Sequence, residues 1–147
     1  MKDVVKIKDL DGDLMQFTPK VCTDHEIVIK NDEGKETGRR QQAATFSGHV
    51  ILKKIDLLKR LELAPQLEEL RRDGSGIKSI AFAVKETMEL WKGVNLTHLK
   101  SGKIFASLKE MMLDSRCDAI IYEVALGCID GFTAANGESE GNEQGEE

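Results

Sequence analysis

No stretch of this chain approaches the roughly 18 consecutive apolar residues that a membrane-spanning helix requires. Its opening Met1-Lys2-Asp3-Val4-Val5-Lys6 is charged from the second residue, unlike a secretory leader. Cysteine is sparse and odd in number (Cys22, Cys117 and Cys128), so no disulfide framework is expected and the setting reads as reducing and cytoplasmic. Asn95-Leu96-Thr97 fits the glycosylation acceptor pattern, but without a secretory route the match is coincidence. Aromatics are also scarce, 5% of residues against 40% hydrophobic and 32% charged, the composition of a globular chain rather than a collagenous or membrane one. A length of 147 residues sets the expectation of one compact domain.

A basic excess is missing as well. The net charge is −5, from 26 acidic and 21 basic residues. Glu138, Glu140, Glu143, Glu146 and Glu147 all follow Phe132, where no Lys or Arg occurs, so the body is balanced at 21 against 21. Proteins that grip phosphates concentrate Lys and Arg on one face or helix. Nucleic acid is therefore not the expected partner.

What is present begins as β-structure. Val5 and Ile7 alternate with Lys6 and Lys8, and Leu14-Met15-Gln16-Phe17 follows Asp11-Gly12, the pattern of a hairpin whose Gly supplies a positive φ. Pro19 ends that pairing. Ile27-Val28-Ile29 reads as a further strand, Asn31-Asp32-Glu33-Gly34 as its turn, and 37–45 as a return strand. An N-terminal antiparallel sheet of three or four strands is expected.

After Ser47 the apolar spacing shifts to that of a helix, with Ile51, Ile55 and Leu58 on one stripe widened by Leu52 and Leu61. Ser47 as N-cap and Pro65 as terminator bracket a helix over 48–63. A short helix over 66–72 follows, stopped by Gly74. Next, Ile77, Ile80, Ala81, Val84, Met88 and Trp91 recur at three and four, predicting a helix over 76–92 between a Ser75 cap and a Gly93 stop, with this stripe in the core. Ser101 precedes an amphipathic stretch carrying Ile104, Phe105, Leu108, Met111 and Met112. Ser115, with Asp118 three residues on, opens a last helix that buries Cys117, Ile120, Ile121, Val124 and Cys128 and stops near Gly131. The fold class expected is α+β in a single domain over 1–132, with a β-rich part over 1–46 and a helical part over 47–132. The acidic Gly/Glu segment 133–147 has no large apolar residue and is expected to be a disordered tail.

Candidate chemistry is thin. Asp9, Asp11 and Asp13 alternate like calcium-loop ligands, but Leu14 and Lys20 stand where the loop Gly and bidentate Glu belong, leaving a hairpin turn. Gly34-Lys35 is followed by Glu36 where a phosphate loop has Ser or Thr. Cys22 and His25 have the spacing of half a zinc site, with no second pair to complete it. Cys117 and Cys128 share a helical face about 16 Å apart along the axis, too far for one bridge or one metal, and read as core cysteines. His25, His49 and His98 carry no nucleophile signature, so no enzyme and no cofactor is expected. The segment 66–91 has the outline of a helix-turn-helix, yet near the start of its second helix it offers only Lys78 and Ser79 for reading bases, with Lys85 a turn too far. Met88, Met111 and Met112, with Trp91, are the candidate partner-binding residues, because flexible Met surfaces adapt to partners.

A β-rich start, a mainly helical body and a Glu/Gly tail together resemble the tail-assembly chaperones of long-tailed bacteriophages. That resemblance spans the whole chain and is architectural, carrying over no residue motif. It implies a non-catalytic assembly factor that binds protein partners, the tape-measure or tail-tube subunits. The alternative is a small DNA-binding regulator using the 66–91 segment.

Overall fold

The computed structural model describes residues 7–132; Val5 and the segment 133–147 lie outside the described residues. The chain is α+β. It opens with strands β1 (Ile7–Asp9) and β2 (Leu14–Phe17), joined by the turn that Gly12 closes at φ +73°. A short 3-10 turn, Lys20–Cys22, leads to β3 (His25–Lys30) and β4 (Glu36–Gln42). Then come β5 (Phe46–Lys53), α1 (Leu57–Arg72), α2 (Gly76–Thr87), β6 (Trp91–His98), β7 (Ile104–Phe105), α3 (Leu108–Met112) and α4 (Asp118–Asp130).

Five strands form one antiparallel sheet in the order β1-β2-β5-β6-β7, while β3 and β4 pair only with each other. The expected N-terminal strands thus exist, but in two sheets, and the main sheet draws three of its strands from the half expected to be helical. The helix expected over 48–63 is instead the central strand β5. Along it Phe46, Val50 and Leu52 are buried and Ser47 and Lys53 exposed, a period of two that orders the segment once β2 and β6 flank it. Asp56, not Ser47, caps the helix that follows, accepting a hydrogen bond from the Lys59 amide at 2.8 Å.

Pro65 does not end that helix. It sits inside α1, which runs on through the segment expected as a separate helix. An interior proline costs about 3 kcal/mol, and the fully buried Leu63 and Leu67 on either side of it offset that cost by packing. Ser75 caps α2 as expected, accepting from the Lys78 amide. However, α2 stops at Thr87, and Trp91 and Gly93 belong to β6, opposite Leu52 and Ile51. Ser107 caps α3, and Asp114 rather than Ser115 accepts from the Arg116 amide ahead of α4.

The core lies where the sheet meets α4. Met15, Phe17, Val50, Leu52, Leu96 and Phe105 pack from the strands against Ile120, Ile121, Val124 and Cys128. A second cluster joins Leu63 and Leu67 of α1, Ala83 of α2, and Ala125 and Ile129 of α4. α4 therefore lies between the sheet and the α1–α2 pair, which accounts for its almost continuous burial. Arg60 closes the end of α4: its Nε donates to the Ile129 carbonyl and its guanidinium to the Asp130 carbonyl, both at 3.0 Å, a cation at a helix C-terminus. Phe132 folds back onto Phe17 with ring centroids 4.4 Å apart, over Gly127, where any side chain would strike its ring.

Candidate interaction surface

The second helix leaves part of its large apolar stripe open to solvent, while Phe82 and Val84 reach the core clusters. Its buried positions are Ser79, Ala83 and Thr87, spaced by four, and all are small. Their hydroxyls are satisfied within the helix, Ser79 Oγ donating to the Gly76 carbonyl at 2.8 Å and Thr87 Oγ1 to the Ala83 carbonyl at 2.7 Å. A face of small side chains with no unmet polar group lets α2 settle closely on α4, where Ala83 and Ala125 share a cluster. The stripe expected in the core is displaced as a result. Ile77 is 85% exposed, Met88 45%, and Ile80 and Val84 are only half-buried.

This stripe and Tyr122, which α4 contributes at 40% exposure, line an open groove of about 400 Å³. Lys85 lines its edge and Lys78 lies one helical step from Ile77. Among the described residues neither lysine has an ion-pair partner within 4.0 Å. The groove is thus apolar along its floor with free positive charge beside it. A further apolar groove, of about 410 Å³, lies between α1 and α2 at Pro65, Leu70 and Phe82.

The four candidate residues separate. Met88 belongs to the outward stripe. Trp91 is half-buried at the start of β6, packed against the core rather than ending the α2 stripe. Met111 is fully buried in α3, and Met112 beside it is exposed. Comparison with protein-family models, curated proteins and solved structures finds no match. The groove therefore has to be interpreted from its own chemistry.

The other candidates resolve as structure. Asp9 and Asp13 meet Lys54 and Lys53 beside the first hairpin, and the Asn31 carboxamide accepts from the amides of Glu33 and Lys35 in the second. Cys22 is half-buried, and burial, with the Glu123 charge second, pushes its thiol up to about 12. Burial likewise lifts Cys128 to about 12 and Cys117 to about 11. None is a ready thiolate for metal or nucleophilic chemistry. His25 Nδ1 lies 3.0 Å from the Thr23 carbonyl, and no group of three metal-ligating side chains occurs among the described residues. The segment 66–91 is the second half of α1, a turn, α2, a 3-10 turn over Met88–Leu90 and the first residue of β6.

One polar cluster escaped the sequence reading. His98 Nδ1 is 2.8 Å from Ser101 Oγ in the β6–β7 turn, and Arg116 reaches both residues. The Asp114 carboxylate is held by Arg116 at 3.0 and 2.7 Å and by Lys103 at 3.4 Å rather than orienting the imidazole. Arg116 hydrogen bonds hold the Asp114 carboxyl far below its ordinary value. The cluster fastens the β6–β7 turn to the entry of α4. The i, i+3 spacing of His98 and Ser101 was its only sequence signal.

Proposed function

We propose that this chain is a non-catalytic protein-interaction and assembly factor whose outward α2 face receives an amphipathic helix of a structural protein partner. The observation that carries this reading is the apolar stripe of exposed Ile77 and Met88 with half-buried Ile80 and Val84, left open to solvent because smaller residues occupy the packed side of the helix. Contiguous exposed apolar surface of this kind marks binding sites. A helix lying in such a groove would anchor side chains at i, i+3, i+4 and i+7, and the unpaired Lys78 and Lys85 favour acidic residues flanking that apolar face. In its specific form the reading is a tail-assembly chaperone, with the bound segment in a tape-measure or tail-tube protein. We place it in the cytoplasm, which three unbridged cysteines support; no helix among the described residues is long and apolar enough to cross a membrane.

The test is a titration, followed by NMR, with a synthetic amphipathic helix of about twelve residues, matching the length of α2, made once with Glu flanks and once with Lys flanks. Shifts are expected at Ile77, Ile80, Val84, Met88 and Tyr122 with the Glu-flanked peptide, and the Lys85→Glu variant should bind it several-fold more weakly. Shifts confined to other surfaces, or sequence-selective binding of duplex DNA with no response to either peptide, would overturn the reading.

A further inference from the structure

The β3–β4 ribbon stands apart from the main sheet and is paired with nothing else among the described elements. An isolated two-stranded ribbon is marginal in water, and this one exposes apolar side chains on both faces, Val28 at 43% on one and Ile29 at 41% on the other. Among the described residues each of its strands has one open edge, and the two edges differ.

In β3 the backbone groups facing β4 belong to odd-numbered residues. The Ile29 carbonyl accepts from Thr37 Oγ1, and just past the strand the Asn31 amide donates to the Lys35 carbonyl. Backbone groups alternate sides along an antiparallel strand, so Glu26, Val28 and Lys30 present theirs outward. The register slip between Ile29 and Lys30 places the extra residue, Thr37, in β4 and leaves β3 regular.

That outward edge is complementary to itself. Laid antiparallel against a second copy about an axis at Val28, β3 sets Val28 against Val28, Ile27 against Ile29, and Glu26 against Lys30, twice. Lys30 has no ion-pair partner among the described residues, and Glu26 is bound through one oxygen to Arg39 at 3.1 Å, leaving the other oxygen free. The outer edge of β4 lacks this property: pairing about Arg39 or Arg40 opposes like charges, and the register about Gly38 that would set Glu36 against Arg40 is interrupted by the extra residue Thr37. The terminal strand β7 of the main sheet is short, two residues, as protected edges are.

We propose that the outer edge of β3 is a homodimerisation strand, joining two copies across a two-fold axis at Val28 into a continuous β4-β3-β3-β4 sheet. This surface is separate from the α2 groove, and either can fail without the other. The interface is isologous, so it closes at two copies.

Sedimentation of the full chain across the micromolar range should show a monomer–dimer equilibrium. Val28→Pro removes an outward N–H and none that faces β4, and should leave a folded monomer with unchanged circular dichroism. Lys30→Glu and Glu26→Lys alone should each weaken the dimer by about tenfold or more, and an equimolar mixture of the two should recover it as a heterodimer. Val28→Cys should form an intermolecular disulfide on mild oxidation, since opposed strand residues lie within disulfide reach, whereas Gln41→Cys should not. A wild-type chain that stays monomeric, a dimer indifferent to Val28→Pro, or equal cross-linking at Val28→Cys and Gln41→Cys would overturn the proposal.

Discussion

The orientation of α2 can be tested by two substitutions whose effects on stability exchange places if the helix is turned the other way. Ala83 is fully buried between Leu63, Leu67, Ala125 and Ile129. Ala83→Leu adds three carbons where no space exists, and overpacking of this kind costs about 1–3 kcal/mol. Ile77 is 85% exposed, so Ile77→Glu should change stability by no more than about 0.5 kcal/mol. Were the large stripe in the core, the order would reverse: Ile77→Glu would bury a carboxylate at a cost of several kcal/mol, and Ala83→Leu would be tolerated at the surface. Urea denaturation followed by far-ultraviolet circular dichroism reads both effects, provided the slope with denaturant is unchanged. With a total stability of about 5–15 kcal/mol, a loss of 1–3 is easily resolved. A large loss in Ile77→Glu beside a wild-type midpoint in Ala83→Leu would refute the assignment of faces.

Gly48→Ala should destabilise by more than 3 kcal/mol, or about a hundredfold in the folding equilibrium, because Gly48 has φ +117° and an added Cβ would strike the Asn95 carbonyl; thermal melts check this. Trp91→Ala should cost about 2 kcal/mol, the value of a partly buried side chain, rather than the larger loss of a fully buried aromatic, and native emission should be intermediate between buried and exposed Trp. The Asp114 carboxyl is lowered in the folded state by hydrogen bonds from Arg116, so its contribution is fully present above the ordinary carboxylate value of 3.8 and fades as pH falls toward the depressed folded value. Asp114→Asn should therefore lower stability at neutral pH and flatten the acid limb of a pH–stability curve. With their pKa values raised to about 11–12, the three thiols should react slowly with a disulfide reagent at pH 8 in the native state and completely in denaturant.

Turn chemistry and helix ends were legible wherever the decisive residues are local. Asp11-Gly12 and Asn31 to Gly34 mark two hairpins, Ser75 caps α2, and Gly131 ends α4 at φ +98°. β5 was missed because Ile51, Ile55 and Leu58 have helical spacing, although Phe46, Gly48, Val50 and Leu52 also alternate and only the flanking strands decide between the two periods. β6 was hidden because Trp91 continues the apolar rhythm of α2 across its end with no breaker before Gly93. The interaction surface was half legible. Its residues Ile77, Ile80, Val84 and Met88 were recognised as one stripe, but a stripe does not say which way it faces. That was decided by Ser79, Ala83 and Thr87, whose small size permits the close approach of α4.

Peroxide oxidation of the native chain, mapped residue by residue with and without the Glu-flanked amphipathic peptide, reads directly whether α2 presents an outward binding face. Four methionines report at once, Met88 and Met112 from exposed positions and Met15 and Met111 from the core. Met88 and Met112 should convert to the sulfoxide well before Met15 and Met111, and the peptide should protect Met88 while leaving Met112 unaffected. Oxidation of Met88 as slow as that of Met111 in the free chain, or a saturating peptide that leaves the Met88 rate unchanged, would contradict an outward binding face on α2.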